Sequence, residues 1–257
     1  MPVVTGLLLV TGFCPWWRAW RANRETSLRH ALLWAGAAWL AWTAARALPG
    51  LGEERGLYLA LSLSGCAGVA VLGARRPGVG AWNFVVVGLL AVLLLPVAQG
   101  LGEPRPEPAQ LAFLAVTLAV ALGNYLPTRL APAVVVLGGA WGIALARLVG
   151  AAAPRLEWLG DGLLVAGPWV AWAACRVGPR PATEFDRVWF TFRDRFGLVW
   201  GQRSRDQFNR AAANAGWPVV LTWHGLRPAG NDVPALPDGA LATLHAVLKR
   251  FGPEEAG

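Results

Sequence analysis

The chain has 257 residues and a formal net charge of +8 at pH 7, with 55% hydrophobic and only 15% charged residues. A soluble domain usually carries about a quarter charged residues, because its surface must face water, so the composition argues against one soluble core. A basic excess indicates nucleic acid in a soluble protein, but in a polytopic membrane protein it is expected on the cytoplasmic side.

Residues 1–29 form a first segment, in which an apolar run is followed by a basic stretch. The apolar run from Val3 to Phe13 is too short to span a bilayer comfortably. We favour an interfacial segment with Trp16 and Trp17 at the level of the lipid headgroups. The alternative is a short seventh helix that starts outside, because the following arginines stay cytoplasmic in that arrangement too.

Residues 30–175 contain six apolar stretches, each about long enough to cross 30 Å of hydrocarbon. They run approximately over residues 30–48, 56–73, 79–99, 109–126, 132–150 and 156–175. The breaks between them are short, which makes consecutive helices antiparallel neighbours. The sequence therefore predicts an all-α polytopic protein with a bundle of about six transmembrane helices and a small cytoplasmic α or α+β tail domain at residues 183–257.

The arginines predict the orientation. If the segment before the first span is cytoplasmic, that side receives most of the basic residues, including Arg75, Arg76 and the whole tail. The opposite side receives only Arg46, Arg55, Arg105, Arg147 and Arg155. Positive charge is enriched on the cytoplasmic side of bacterial inner-membrane proteins, so we expect a multi-pass inner-membrane protein with a cytoplasmic C-terminus.

Polar side chains inside apolar spans are the default candidates for function. The candidate intramembrane site consists of Asn83, Asn124, Arg147 and Asp161. Arg147 lies near the outer end of the fifth span and Asp161 about one and a half turns inside the sixth, so we expect them to face one another as an ion pair. We favour a structural ion pair over a proton or substrate site, because no third ionisable group extends a relay towards the cytoplasm.

The tail is predicted to contain two helices, a strand and a final helix. Helical spacing of aromatic residues covers 185–199, and a second helix is expected after Gly201. Residues 219–223 alternate as in a short strand whose partner the sequence does not identify, and Asp238 is the expected N-cap of the last helix. A compact domain is favoured over a first helix that lies on the inner leaflet, because acidic residues interrupt the arginines.

The tail is also the candidate surface for a protein partner or for the inner leaflet. The residues proposed for this surface are Trp189, Arg193, Arg195, Arg203 and Arg205. We expect no nucleic-acid partner, because the charges are mixed and no binding motif occurs.

The sequence carries no recognised catalytic, metal or nucleotide motif, so no catalytic residue, metal or cofactor is predicted. The functional hypothesis is a non-enzymatic anchor, scaffold or regulatory protein in the lipid bilayer, whose cytoplasmic tail binds a partner or the inner leaflet. The alternative is a small transporter or channel that uses the polar residues of the bundle.

Overall fold

The computed structural model describes residues 2–48, 53–99, 106–177, 181, 183–228 and 237–252. Parts of the predicted tail domain, and Arg105 in the orientation argument, lie outside these residues. The described chain is predominantly helical, which confirms the all-α class, and it adds one β-hairpin. The elements are α1 Pro2–Thr11, α2 Phe13–Asn23, α3 Arg29–Ala47, α4 Glu53–Leu72, α5 Val79–Leu93, α6 Leu95–Gln99, α7 Pro108–Gly123, α8 Ala131–Leu148, α9 Pro154–Val177, α10 Glu184–Asn214, β1 Val219–Thr222, β2 Gly225–Pro228, α11 Ala240–Leu248 and a 3-10 turn at Lys249–Phe251.

Two of the described helices, α4 over Glu54–Leu72 and α8, are long and apolar enough to cross a membrane. Helices α5 and α7 are apolar but have only 15 and 16 residues. Helices α3 and α9 have 19 and 24 residues, but their tryptophans, glycines and charged ends lower the hydropathy. Helices α4 and α8 alone do not confirm six membrane spans, so the six spans stay a prediction.

The predicted third span appears as two consecutive helices, α5 and α6, with only Leu94 between them. Leu94 keeps right-handed helical dihedral angles, and its N–H donates to the Leu90 carbonyl at 2.9 Å. Pro96 has no N–H to continue the helical ladder, which explains the interruption. Residues 79–99 therefore form one interrupted helix with the predicted bounds.

The N-terminal segment lies lengthwise along α3. Gly12 between α1 and α2 has helical dihedral angles, so residues 2–23 form a nearly continuous helix about 33 Å long at 1.5 Å per residue. The backbone of Gly6 lies against Ala47 at the end of α3. Trp39 Nε1 donates to the Leu9 carbonyl at 2.8 Å. This antiparallel pairing fits the seventh-helix alternative better than the interfacial one.

Helix α4 lies at the centre of the bundle and packs against α3, α5, α7 and α8. Tyr58 and Leu61 are fully buried on it, and so is the hydroxyl-bearing Ser62. Gly68 permits the closest approach, since a Cβ at this position would lie 2.1 Å from the Cβ of Ala121 on α7. Small residues at such crossings let helix backbones pack closely, as is typical of helices in lipid.

The outside of the bundle is apolar. Among the described residues, every exposed large hydrophobic side chain except Val220 precedes residue 178, and Phe84 is 81% exposed. Small polar side chains such as Ser64 and Thr117 are buried instead. So many exposed apolar side chains are unusual for a soluble protein, whose surface contains few contiguous apolar patches larger than a few hundred Å².

We call residues 183–228 and 237–252 the cap. The Thr183 side chain accepts a hydrogen bond from the Asp186 N–H at 3.0 Å and begins α10. The aromatic face of α10 packs edge-to-face against Phe251, whose ring centroid lies 4.9 Å from those of Phe192 and Phe196. The cap thus has an aromatic core.

Two details of the predicted tail are wrong, and the strand partner that the sequence left open is identified. The break in α10 falls at Gly197 (φ 77°, ψ −164°), while Gly201 lies within the second part of the helix. The strand pairs with the segment immediately after it, with Thr222 opposite Gly225. The N-cap of α11 is Gly239 in a left-handed conformation, and it replaces the expected Asp238.

Candidate functional site

Charged side chains from three helices meet near the C-terminal end of α3. Arg46 Nη2 lies 2.6 Å from Asp161 Oδ1, and these side chains are only 9% and 19% exposed. Arg147 Nε on α8 lies 3.6 Å from Glu157 Oε1 on α9. Thr5 of α1 also hydrogen-bonds Asp161. We call these five residues the charge cluster.

The charge cluster contains two of the four residues predicted for an intramembrane site. Arg147 and Asp161 line the same small cavity, as expected from their levels in the two helices. Asp161 forms an ion pair with Arg46, which the sequence analysis counted only among the arginines of the outer side. A signal was present, because Arg46 lies at the end of an apolar span at the same predicted level as Arg147.

The positive and negative side chains of the charge cluster compensate one another. Two arginines face two carboxylates, so the formal charge of the group is zero. The cavity between them has a volume of about 10 Å³, which is about the room that one water molecule needs. Its walls are otherwise apolar side chains such as Trp42 and Leu164. This arrangement can hold α3, α8 and α9 together, but it has no room for a larger solute.

The two asparagines lie elsewhere. Asn83 Nδ2 lies 3.2 Å from His30 Nδ1, between α5 and the start of α3. Asn124 follows α7 directly and is buried against the break of α10. The structure therefore brings Arg147 and Asp161 together, and it places Asn83 and Asn124 at two separate positions.

Asn124 connects the bundle to the cap through three hydrogen bonds. Its carbonyl oxygen accepts the Leu198 N–H at 2.7 Å, and its Oδ1 accepts the Val199 N–H at 3.1 Å. Its Nδ2 donates to the Phe196 carbonyl at 3.3 Å. The break at Gly197 frees these backbone groups from the helical ladder, and Asn124 satisfies them.

The cap is attached to two further connections of the bundle. Trp200 Nε1 donates to the Val71 carbonyl at 3.1 Å at the end of α4. The Arg76 N–H donates to the Arg250 carbonyl at 3.1 Å, and the Ser27 N–H donates to the Phe251 carbonyl at 3.3 Å. The connections after α2, α4 and α7 therefore all bond to the cap.

A second polar contact lies beside Asn124. Arg129, in the connection before α8, has its Nε 3.4 Å from Asp194 Oδ2. Arg193 donates to the same carboxylate at 2.8 Å and to the Trp223 carbonyl at 2.8 Å. Trp223 Nε1 donates to the Pro127 carbonyl at 2.7 Å. The hairpin and α10 are thus both bonded to the connection between α7 and α8.

The residues proposed for a partner surface do not form one surface. Trp189 is fully buried and Arg193 is 7% exposed, because both pack inside the cap. Arg195 and Arg203 are exposed, and Arg205 is half-buried with its guanidinium 3.0 Å from Asp206. Helical periodicity identified the aromatic face but did not show that this face packs within the protein.

Arginines of the cap meet Arg75 at a groove that the sequence analysis did not identify. The groove lies between α10, the 3-10 turn and the connection after α4, and it has a volume of about 300 Å³. Its charged lining residues are Arg75, Arg203, Asp206, Arg210 and Arg250. Arg75 and Arg250 are far in sequence from the three α10 residues, so only the folded chain reveals the cluster. We call it the arginine groove.

Within the part of the chain that the structure describes, no group of three His, Cys, Asp or Glu side chains is arranged to hold a metal ion. Comparison of the chain with protein-family models, with curated proteins and with solved structures gave no match. The proposed function therefore rests only on the contacts, burial and charges of the described residues.

Proposed function

We propose that the chain is an integral protein of the bacterial inner membrane, with seven helical spans and the cap in the cytoplasm. The observation that carries this proposal is the apolar exterior of the bundle, which ends at residue 177. Hydrocarbon is the solvent in which such a surface is stable, whereas water would favour its aggregation. The seven spans are the six predicted ones and the helix of residues 2–23.

The connectivity supports this topology. Seven alternating spans that start outside put the connections at residues 24–28, 73–78 and 124–130 on the cytoplasmic side, together with the cap. These are the three connections that bond to the cap. The charge count along the sequence assigns the same connections to the cytoplasm. Charge and contacts thus support one orientation.

We further propose that the cap is a rigid scaffold for a cytoplasmic partner. Bonds from three connections fix the cap on the bundle, so the surface it presents is organised before a partner binds, which lowers the entropic cost of binding. The transporter alternative has less support, because Asn83, Asn124 and Asp161 lie at three separate positions. Within the described residues, the cavity at the charge cluster has room for about one water.

Single-cysteine labelling in intact cells tests the topology. The three native cysteines are replaced by alanine, and one cysteine is introduced at Ala153, after α8, or at Gln202, on the cap. Both positions are exposed. We expect a membrane-impermeant maleimide to label A153C in intact spheroplasts and to label Q202C only after lysis. Labelling of both variants, or of Q202C alone, in intact spheroplasts would contradict the topology.

Photo-cross-linking tests the scaffold function. A photoreactive amino acid at Gln207, on the exposed face of α10, is expected to give a discrete adduct with a partner in growing cells. The same amino acid at Val220, on the exposed side of the hairpin, provides the matched control. Absence of an adduct at Gln207, in cells that accumulate the full-length protein, or the same adducts at both positions, would argue against a scaffold.

A further inference from the structure

The arginine groove concentrates positive charge at one place on the cap. Arg203 and Arg210 come from α10, Arg250 from the 3-10 turn and Arg75 from the connection after α4. Four basic side chains that line a groove of about 300 Å³ raise the local positive potential, which favours the binding of an anion there.

The described carboxylates do not compensate this charge. Asp206 is the single acidic residue among those that line the arginine groove in the described structure. Its Oδ1 already lies 3.0 Å from Arg205 Nη2. The lining therefore keeps an excess of positive charge, in contrast to the charge cluster, where the arginines and carboxylates balance.

Trp200 forms a fixed wall of the arginine groove. Its Nε1 is bound to the Val71 carbonyl, and its side chain is buried. The guanidinium carbons of Arg75 and Arg203 lie 5.9 Å and 5.1 Å from the centroid of its ring. Stacking on an aromatic ring orients a guanidinium and leaves its N–H edge available for an oxyanion.

We propose that the arginine groove binds the phosphate group of an organic phosphate. Arginine matches phosphate because its planar fork donates two parallel hydrogen bonds to the oxygens of one group. The volume lies at the lower end of the range for small-molecule sites, about 300–1,000 Å³, which suits a phosphate with a small organic part. The phosphate belongs either to a soluble metabolite or to a phospholipid headgroup at the inner leaflet.

This inference depends on the proposed function only for the position of the arginine groove beside the inner leaflet. Binding of a soluble phosphate by the purified protein does not require that the bundle spans a membrane. The test therefore uses the full chain in a detergent without phosphate groups.

The binding test compares two double variants. Arg203→Gln with Arg210→Gln removes two charges from exposed positions of the arginine groove. Arg187→Gln with Arg227→Gln removes two charges from exposed positions elsewhere on the cap. Inorganic pyrophosphate is titrated by calorimetry at low salt. Dihexanoyl phosphatidylglycerol is titrated in a parallel arm, with dihexanoyl phosphatidylcholine as the zwitterionic control.

Each outcome decides the proposal. Charge-assisted hydrogen bonds make a loss of about tenfold or more in affinity per arginine the expected result for the groove variant. The control variant is expected to keep the wild-type affinity within about threefold, since exposed long-range charges are screened. Binding of pyrophosphate with this pattern identifies a soluble phosphate, and binding of phosphatidylglycerol alone with this pattern identifies a lipid headgroup. The proposal is overturned if neither probe binds the wild-type protein, or if both variants bind equally.

Discussion

Replacement of Gly197 by alanine tests the attachment of the cap most sharply. Gly197 has φ 77° and ψ −164°, a backbone region that is essentially restricted to glycine. A Cβ there would lie 2.2 Å from Asn124 Nδ2 and 2.6 Å from the Asn124 carbonyl oxygen. The alanine variant must therefore change its backbone conformation and push Asn124 away, and the three hydrogen bonds of Asn124 with Phe196, Leu198 and Val199 are lost with it.

The magnitude follows from these two costs. The backbone strain contributes about 1–3 kcal/mol, and three hydrogen bonds with Asn124 contribute about 1 kcal/mol each, so Gly197→Ala should weaken the attachment by about 4–6 kcal/mol if the protein does not relax. Relaxation of the protein reduces this loss, and we expect at least about 2 kcal/mol of it to remain. Gly216→Ala is the matched control, because Gly216 also has a positive φ, 67°, but no atom lies within 4 Å of the added Cβ.

Hydrogen exchange measures the effect directly. The amides of Leu198 and Val199 donate to Asn124, so they should exchange at least about thirtyfold faster in the Gly197→Ala variant, as 2 kcal/mol implies. Gly216→Ala should leave them protected. Asn124→Ala removes the side-chain oxygen that accepts the Val199 N–H but keeps the backbone carbonyl that accepts the Leu198 N–H, so it should accelerate exchange at Val199 more than at Leu198. Its effect on Val199 should not add to that of Gly197→Ala, because the two residues share their contacts. Unchanged protection in Gly197→Ala would refute the proposed attachment.

Two further substitutions test the interior of the bundle. Asp161→Asn leaves the buried guanidinium of Arg46 without its carboxylate and should destabilise the protein by about 3–5 kcal/mol, whereas Arg46→Met with Asp161→Leu should restore most of the loss in thermal unfolding. A double variant as unstable as the single one would argue against a purely structural ion pair. Gly68→Ala should lower the melting temperature by several degrees, because its Cβ meets Ala121 at 2.1 Å, and Gly142→Ala, with open space around it, should not. Equal effects of the two alanines would contradict the packing of α4 on α7.

The helices of the bundle could be predicted from the sequence because each apolar stretch is a local signal. The apolar stretch at residues 79–99 has the same bounds as the interrupted helix formed by α5 and α6. The length of the apolar run does not decide between an interfacial segment and a seventh helix for residues 3–17. It does not show that Gly12 is compatible with a helix or that Trp39 bonds to Leu9. Neither feature changes the local hydropathy.

The attachment of the cap was not predictable from periodicity. A helical pattern identifies which face of α10 is apolar, but it does not show whether that face meets lipid, its own domain or the bundle. It also does not distinguish Gly197 from Gly201, since only the contact with Asn124 selects one of them as the break. The partner of Asp161 was missed for the same reason: the sequence shows that Arg46 lies at the end of an apolar stretch, but it does not show which side chain Arg46 contacts.

The central claim is that hydrocarbon surrounds the bundle, and extraction of native membranes tests it most directly. Membranes from cells that express the full chain are washed with alkaline carbonate, and the pellet and supernatant are separated by ultracentrifugation. We expect the protein to stay in the pellet and to be released only by detergent. Recovery of a folded monomer in the carbonate supernatant would contradict the proposed membrane insertion.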